Sequence, residues 1–303
     1  MNAGAPRGVL MMAVTPFRPD GEIDPARMAG LARDAKEQAF GGLVVAGGAG
    51  ELPDLAGAEV VGLVRAASSA VGDGTVVTAG VFARRGERAQ VDALAGAGAQ
   101  ALLCFADPDP RADADAGLDA LLAHNASGPR LAVVVDHDGA RFTIPGLRRA
   151  SQTPPGIAVK FGSPDLRAWE ALRTALPEVQ HWISGAGDEL APGFAAHGAA
   201  GFTSTTANVA PELIARIARH LARDELGRAG ALLRERVGLL AALRSSRSGY
   251  VPAVTKAAMA LALRSAGDVR RASARLDFAD ADAVAAALIE VRGEDCPTLP
   301  PNG

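Results

Sequence analysis

Between residues 8 and 223, short apolar runs of strand length alternate with longer segments of helical period, and this alternation restricts the chain to very few architectures. The runs span 8–17, 41–46, 75–82, 101–105, 130–135, 157–161, 179–184 and 201–205; helix-like stretches include 24–38, 56–71, 87–97, 112–124, 164–176 and 211–223. Eight strand-helix units is the count of a (β/α)8 barrel. A doubly wound open sheet uses the same alternation, but no Gly-x-Gly-x-x-Gly follows the first run, where Val14-Thr15-Pro16-Phe17 leads instead into Pro19-Asp20-Gly21. The reading is therefore α/β, with residues 1–223 forming a (β/α)8 TIM barrel that carries the active site. Residues 224–303 read as a C-terminal helical segment, helical over 226–246, 251–265 and 281–291, ending in a loosely held tail from Cys296 to Gly303.

Composition narrows the function. Hydrophobic residues make up 49% of 303, ample for a large core. A net charge of -3 without a Lys/Arg block argues against a nucleic-acid partner, since nothing gathers cations to neutralise phosphates. Two cysteines, Cys104 and Cys296, offer neither a disulfide framework nor zinc spacing. No apolar run reaches the roughly 20 residues needed to span a bilayer, and no signal-type segment opens the chain. These features predict a cytoplasmic protein with a small-molecule partner, no membrane and no metal.

Lysine usage points to the chemistry. Only Lys36, Lys160 and Lys256 occur among 31 basic residues, and Lys160 lies inside an apolar run, Gly156-Ile157-Ala158-Val159-Lys160-Phe161-Gly162. A desolvated lysine amine can lose its proton near neutral pH and attack a carbonyl, which arginine cannot do. The alternative is a stem packed along the strand with its head in water. The second run ends in Gly47-Gly48-Ala49-Gly50-Glu51, whose backbone N–H groups can converge on an anion such as a carboxylate; it can equally be a tight turn that only reverses the chain. Glu51 reads first as a helix-start residue bonding backbone amides. In a barrel, both segments fall on the carboxyl rim, where chemistry gathers.

These residues carry a family resemblance. The order Ala13-Val14-Thr15-Pro16-Phe17 with Asp20-Gly21, then Gly47 to Glu51, then Lys160, Ser184-Gly185, Gly201-Phe202-Thr203-Ser204 and Thr206-Ala207-Asn208-Val209-Ala210-Pro211 resembles the dihydrodipicolinate synthase and N-acetylneuraminate lyase superfamily, from about residue 8 to about residue 290. The resemblance implies a class I lyase in which the sixth-strand lysine forms a Schiff base with a 2-oxo acid and the second-strand turn (Gly48, Ala49, Gly50, with Glu51 beside it) holds its carboxylate. It further implies that Gly185, Thr203 and Val135 border the same substrate site. It also implies a homotetramer and no cofactor, because the lysine does the electrophilic work. Ala46 to Glu51, and Arg247-Ser248-Gly249-Tyr250 leading into Lys256-Ala257-Ala258, are most similar to the 5-dehydro-4-deoxyglucarate dehydratase branch; the eighth strand and 206–211 look more like the synthases and aldolases.

The departures bear on mechanism. Family members close the fifth strand with a proton-shuttling tyrosine, whereas this chain reads Val133-Val134-Val135-Asp136-His137-Asp138, with Val135 in the tyrosine's place. Ala49 replaces a threonine of the relay, the only tyrosine is Tyr250, and Arg141 is an out-of-register candidate for an arginine of the synthases. If Val135 points inward, so does His137 two residues later, which makes His137 a proton carrier; the same run also reads as a polar turn. Three functions follow: a decarboxylating dehydratase of a keto-deoxy sugar acid, a pyruvate-dependent aldolase or synthase, and a 2-oxo-acid-binding homologue without turnover.

Overall fold

The structure, a computed structural model, describes residues 6–84, 87–137, 141–154, 156–271 and 275–293. Eight parallel strands close into a barrel: β1 Gly8–Met12, β2 Gly42–Val45, β3 Val76–Ala83, β4 Ala101–Ala106, β5 Ala132–His137, β6 Ile157–Phe161, β7 Trp182–Ser184 and β8 Gly201–Ser204, with β8 pairing back onto β1. Each of the eight sequence runs overlaps one of these strands, with β3, β4 and β5 extending one or two residues past theirs, and the (β/α)8 class holds. Closure leaves no unpaired strand edge.

Strand alternation splits the core in two. Leu10, Met12, Val44, Leu103, Val134, Ala158 and Ile183 pack together inside the ring. Their strand neighbours, among them Val9, Met11, Leu43, Val45, Val133, Val135, Val159 and Phe161, pack outward against the helices. Both faces are apolar, as parallel barrel strands require.

Helices begin where the sequence supplies caps. Asp24 accepts from the Arg27 N–H at 2.9 Å and Pro25 opens α1 (Pro25–Glu37); Asp165 accepts from the Arg167 and Ala168 amides before α6 (Leu166–Ala175). Glycine is needed at Gly80, where a Cβ would meet the Ala46 carbonyl oxygen at 1.8 Å. The ring's seam is tied by Asn208, just beyond β8. Its Oδ1 accepts from the Val14 N–H at 3.1 Å and its Nδ2 donates to the Met12 carbonyl at 2.9 Å.

Beyond α8 (Pro211–Ala222), the chain adds α9 (Leu226–Arg236), α10 (Gly238–Ser245), α11 (Val251–Leu261) and α12 (Phe278–Arg292). The expected single helix over 226–246 is two, broken at Val237 before Gly238, and the break lets α10 turn Arg244 toward the barrel mouth. Val251 and Pro252 of α11 also border that mouth. The predicted tail from Cys296 lies outside the described residues. Among the described residues no helix is long and apolar enough to cross a membrane, and no group of three or more His, Cys, Asp or Glu is placed to hold a metal ion.

Candidate active site

A cavity of about 760 Å3 opens at the carboxyl ends of the strands, bordered by Gly48, Ala49, Glu51, Asp136, Lys160, Gly185 and Thr203 together with residues from the C-terminal helices. Lys160 is 8% exposed and lies in register between Asp136 of β5 and Ile183 of β7. Its Nζ donates to both carboxylate oxygens of Asp136, each at 3.0 Å. The two residues are direct partners in the β5–β6 register, so the sheet itself holds ammonium and carboxylate together. Gly185 makes room for the lysine: a Cβ there would lie 2.4 Å from Lys160 Cε and 2.9 Å from Nζ.

The fifth strand has the opposite parity to the one expected. Val134 and Asp136 face the ring interior, while Val135 is buried in the outer core. His137 follows Val135 outward, and its ring stacks on Phe161 with centroids 6.1 Å apart. Neither Val135 nor His137 borders the cavity. The residue brought to Lys160 is Asp136, and sequence reasoning passed over it. Asp138 lies outside the described residues. The other histidines sit elsewhere: His124 pairs with Asp92 at 2.7 Å, His197 with Glu170 at 2.8 Å and His220 with Glu225 at 2.5 Å. Burial pushes the imidazole of His181 below its ordinary value. Tyr250 is buried and donates its hydroxyl to Asp280 of α12, away from the cavity.

The glycine turn is organised by its own hydrogen bonds. The Gly50 amide donates to the Gly47 carbonyl at 3.1 Å and the Glu51 amide to that of Gly48 at 3.3 Å. Thr15 Oγ1 donates to the Gly50 carbonyl at 2.5 Å. Among the described residues no acceptor takes the Gly48 and Ala49 amides, so two N–H groups rather than three remain for an anion. Gly50 instead serves packing, since a Cβ there would meet Ala46, Gly47 and Ala13 at 2.9–3.0 Å. Glu51 adopts left-handed φ of 58° and precedes a 3-10 turn over Leu52–Asp54, but its side chain makes no capping hydrogen bond there. Its carboxylate accepts from Lys256 Nζ at 2.7 Å and from the Arg270 amide at 2.8 Å, both from the C-terminal segment. Burial lowers the Lys256 ammonium from its ordinary value, opposed by the charge of Glu51.

The opposite wall is polar. Arg244 of α10, 5% exposed, reaches Asp188 Oδ2 at 3.4 Å and Thr206 Oγ1 at 2.7 Å and also bonds Thr205 Oγ1. Burial raises the carboxyl of neighbouring Glu189 above its ordinary value. Arg141 borders the cavity and donates to the Asp109 carbonyl at 2.9 Å. Sequence reasoning left Arg244, Asp188 and Glu189 out of the site. An arginine in an Arg-rich helical segment carries no signal of direction, because only the break at Val237 turns it inward.

Fold and cavity together define a (β/α)8 barrel protein with a buried lysine in its mouth. The profile of the Dihydrodipicolinate synthetase family matches residues 5–290, and the chain belongs to that family. It is 33% identical over 294 residues to 4-hydroxy-tetrahydrodipicolinate synthase 1 of Streptomyces coelicolor, covering 94% of this chain and 93% of that protein. The Streptomyces avermitilis protein named "Probable 5-dehydro-4-deoxyglucarate dehydratase 2" is 30% identical over 275 residues, covering 89% and 82%. Among solved structures, dihydrodipicolinate synthase from Bacillus clausii superposes with a TM-score of 0.83 at 22% identity, covering 93% and 96%. The sialic acid aldolase of Ruminococcus gnavus superposes with 0.81 at 18%, covering 94% and 96%. At these identities the structural likenesses speak for the fold alone.

Proposed function

We propose that this protein is a Schiff-base-forming lyase of 2-oxo acids, and that its substrate is a keto-deoxy sugar acid of the 5-dehydro-4-deoxyglucarate type, from which it removes water and carbon dioxide. One observation carries the reading: the amine of Lys160 and the unspent amides of Gly48 and Ala49 border a single cavity. A 2-oxo acid has its carboxylate one bond from its ketone, so a carboxylate on those amides presents the ketone carbon to the amine. The dehydratase branch is favoured by the Ala46 to Glu51 turn and by Lys256 in its Gly-Tyr helix, and the polar wall of Arg244, Thr205 and Glu189 suits a chain bearing hydroxyl and carboxylate groups.

A synthase or aldolase using pyruvate is the second reading, supported by the Streptomyces coelicolor synthase, which matches nearly end to end. Borohydride reduction in the presence of pyruvate or 5-dehydro-4-deoxyglucarate should fix one ligand mass on the peptide containing Lys160. No adduct with any 2-oxo acid would sink both readings. Carbon dioxide released from the sugar acid supports the dehydratase; pyruvate consumed only with an aldehyde supports the synthase. An adduct without turnover of either identifies a binding homologue. We also read the protein as a homotetramer, which a sedimentation measurement checks.

A further inference from the structure

Lysine chemistry on a ketone needs a proton carrier, and the chain lacks the tyrosine and threonine that the resemblance assigns to that task. His137 is turned into the outer core. Glu51 is held by Lys256 and the Arg270 amide, and Asp188 by Arg244 and Thr206. Thr203 and Thr205 border the cavity, but a neutral hydroxyl is a poor base at neutral pH.

We propose that Asp136 is the catalytic acid-base of this site and takes the tyrosine's role with a carboxylate; the proposal rests on the Schiff-base reading above. Asp136 touches the reacting nitrogen itself, with both oxygens at 3.0 Å from Lys160 Nζ, and it borders the cavity from the neighbouring strand. The protons balance through this one group. A proton leaves the ammonium, whose N–H bond breaks as an O–H bond forms on Asp136, and the freed lone pair bonds to the ketone carbon. The second amine proton goes to the former carbonyl oxygen, which becomes a hydroxyl. Asp136 then returns its proton to that hydroxyl, the C–O bond breaks, water departs and a protonated imine remains, so Asp136 is again a carboxylate. Next it accepts a proton from the carbon beside the imine; the C–H electron pair becomes the carbon-carbon double bond and the C=N π pair returns to nitrogen as a lone pair, which gives the neutral enamine. The Lys160–Asp136 pairing is thus the starting position of the proton.

The test uses D136N, which keeps the size of the side chain but cannot take up a proton, and reads two quantities with pyruvate. The first is the rate of borohydride-trapped adduct at saturating pyruvate; the second is exchange of the pyruvate methyl protons in deuterium oxide. General acid-base help is worth about 10²–10⁴-fold. D136N should therefore trap at least about 100-fold more slowly than wild type, with the half-saturating pyruvate concentration changed less than about twofold, and should show no exchange. D136A gives a readout that a structural role would not move: added formate should restore part of the exchange. Wild-type rates in D136N overturn the proposal, and so does D136A that folds yet gains nothing from formate. Should D136N not fold, D136E decides by the same exchange, which must persist above background for the proposal to stand. Failure of wild type to trap any adduct is a different result, since it removes the Schiff-base reading itself.

Discussion

Glu51 and Lys256, 205 residues apart in the chain, form a buried ion pair of 2.7 Å directly behind the turn that offers its amides to the cavity. Lys256 is held in place on its far side by the Asp268 carbonyl at 2.8 Å, and its ammonium lies 4.3 Å from the centre of the Phe17 ring. The C-terminal segment therefore reaches back to brace the loops that follow β1 and β2.

Removing one partner leaves a buried charge unmatched, which costs about 3–5 kcal/mol. K256M should lower the urea midpoint accordingly. The double variant K256M/E51Q, which carries neither charge, should recover most of that loss. Equal losses in the single and double variants would show that the unmatched charge is not the source of the loss.

Gly185 decides where the Lys160 stem can lie. A Cβ at 2.4 Å from Lys160 Cε forces the amine aside, and misplacement by about 1 Å can cost about 100-fold in rate. G185A should fold with a wild-type thermal transition yet form the pyruvate adduct at least tenfold more slowly. Unchanged trapping would mean that the lysine has slack.

His137 packs its ring on Phe161 outside the cavity. H137F should therefore leave the rate of adduct formation within about threefold of wild type. A loss near 100-fold would restore the imidazole as a proton carrier.

Arg270 binds Glu59 through two contacts, 2.7 and 2.8 Å, and this hydrogen bonding holds the Glu59 carboxyl below its ordinary value of 4.5. A lowered carboxyl stabilises the fold fully above the unfolded-state value, and the contribution disappears as pH falls through the folded one. Wild type should exceed E59Q in unfolding free energy by about 0.5–1 kcal/mol near pH 6, the range of partly exposed pairs, and the gap should narrow as the pH drops below 4.5. A gap constant with pH would rule out the ion pair as its source.

Cys104 is fully enclosed in β4, and burial pushes its thiol up to about 12. In a C296S background, the folded protein should resist a thiol reagent at pH 8 and react once denatured. Rapid labelling of the native chain would show that β4 opens.

The strand count, the sixth-strand lysine and the glycine turn were all legible in the sequence, because apolar periodicity and rare residue types survive without knowledge of contacts. The direction of β5 was not. Val133-Val134-Val135 is apolar on both faces, as parallel barrel strands are, so nothing in the run says which valine looks inward, and a one-residue error exchanged Asp136 for His137. The pairing of Glu51 escaped for another reason: its partners, Lys256 and Arg270, lie more than 200 residues away, where no local pattern connects them.

Asn208 fastens the last strand to the first across nearly two hundred residues. A nascent chain still short of that asparagine has no finished ring and hence no pocket, however well its early helices have formed, and such distant pairing is slow to arrive. Closure of the ring, and not the folding of any one helix, would thus mark the moment at which the pocket first exists.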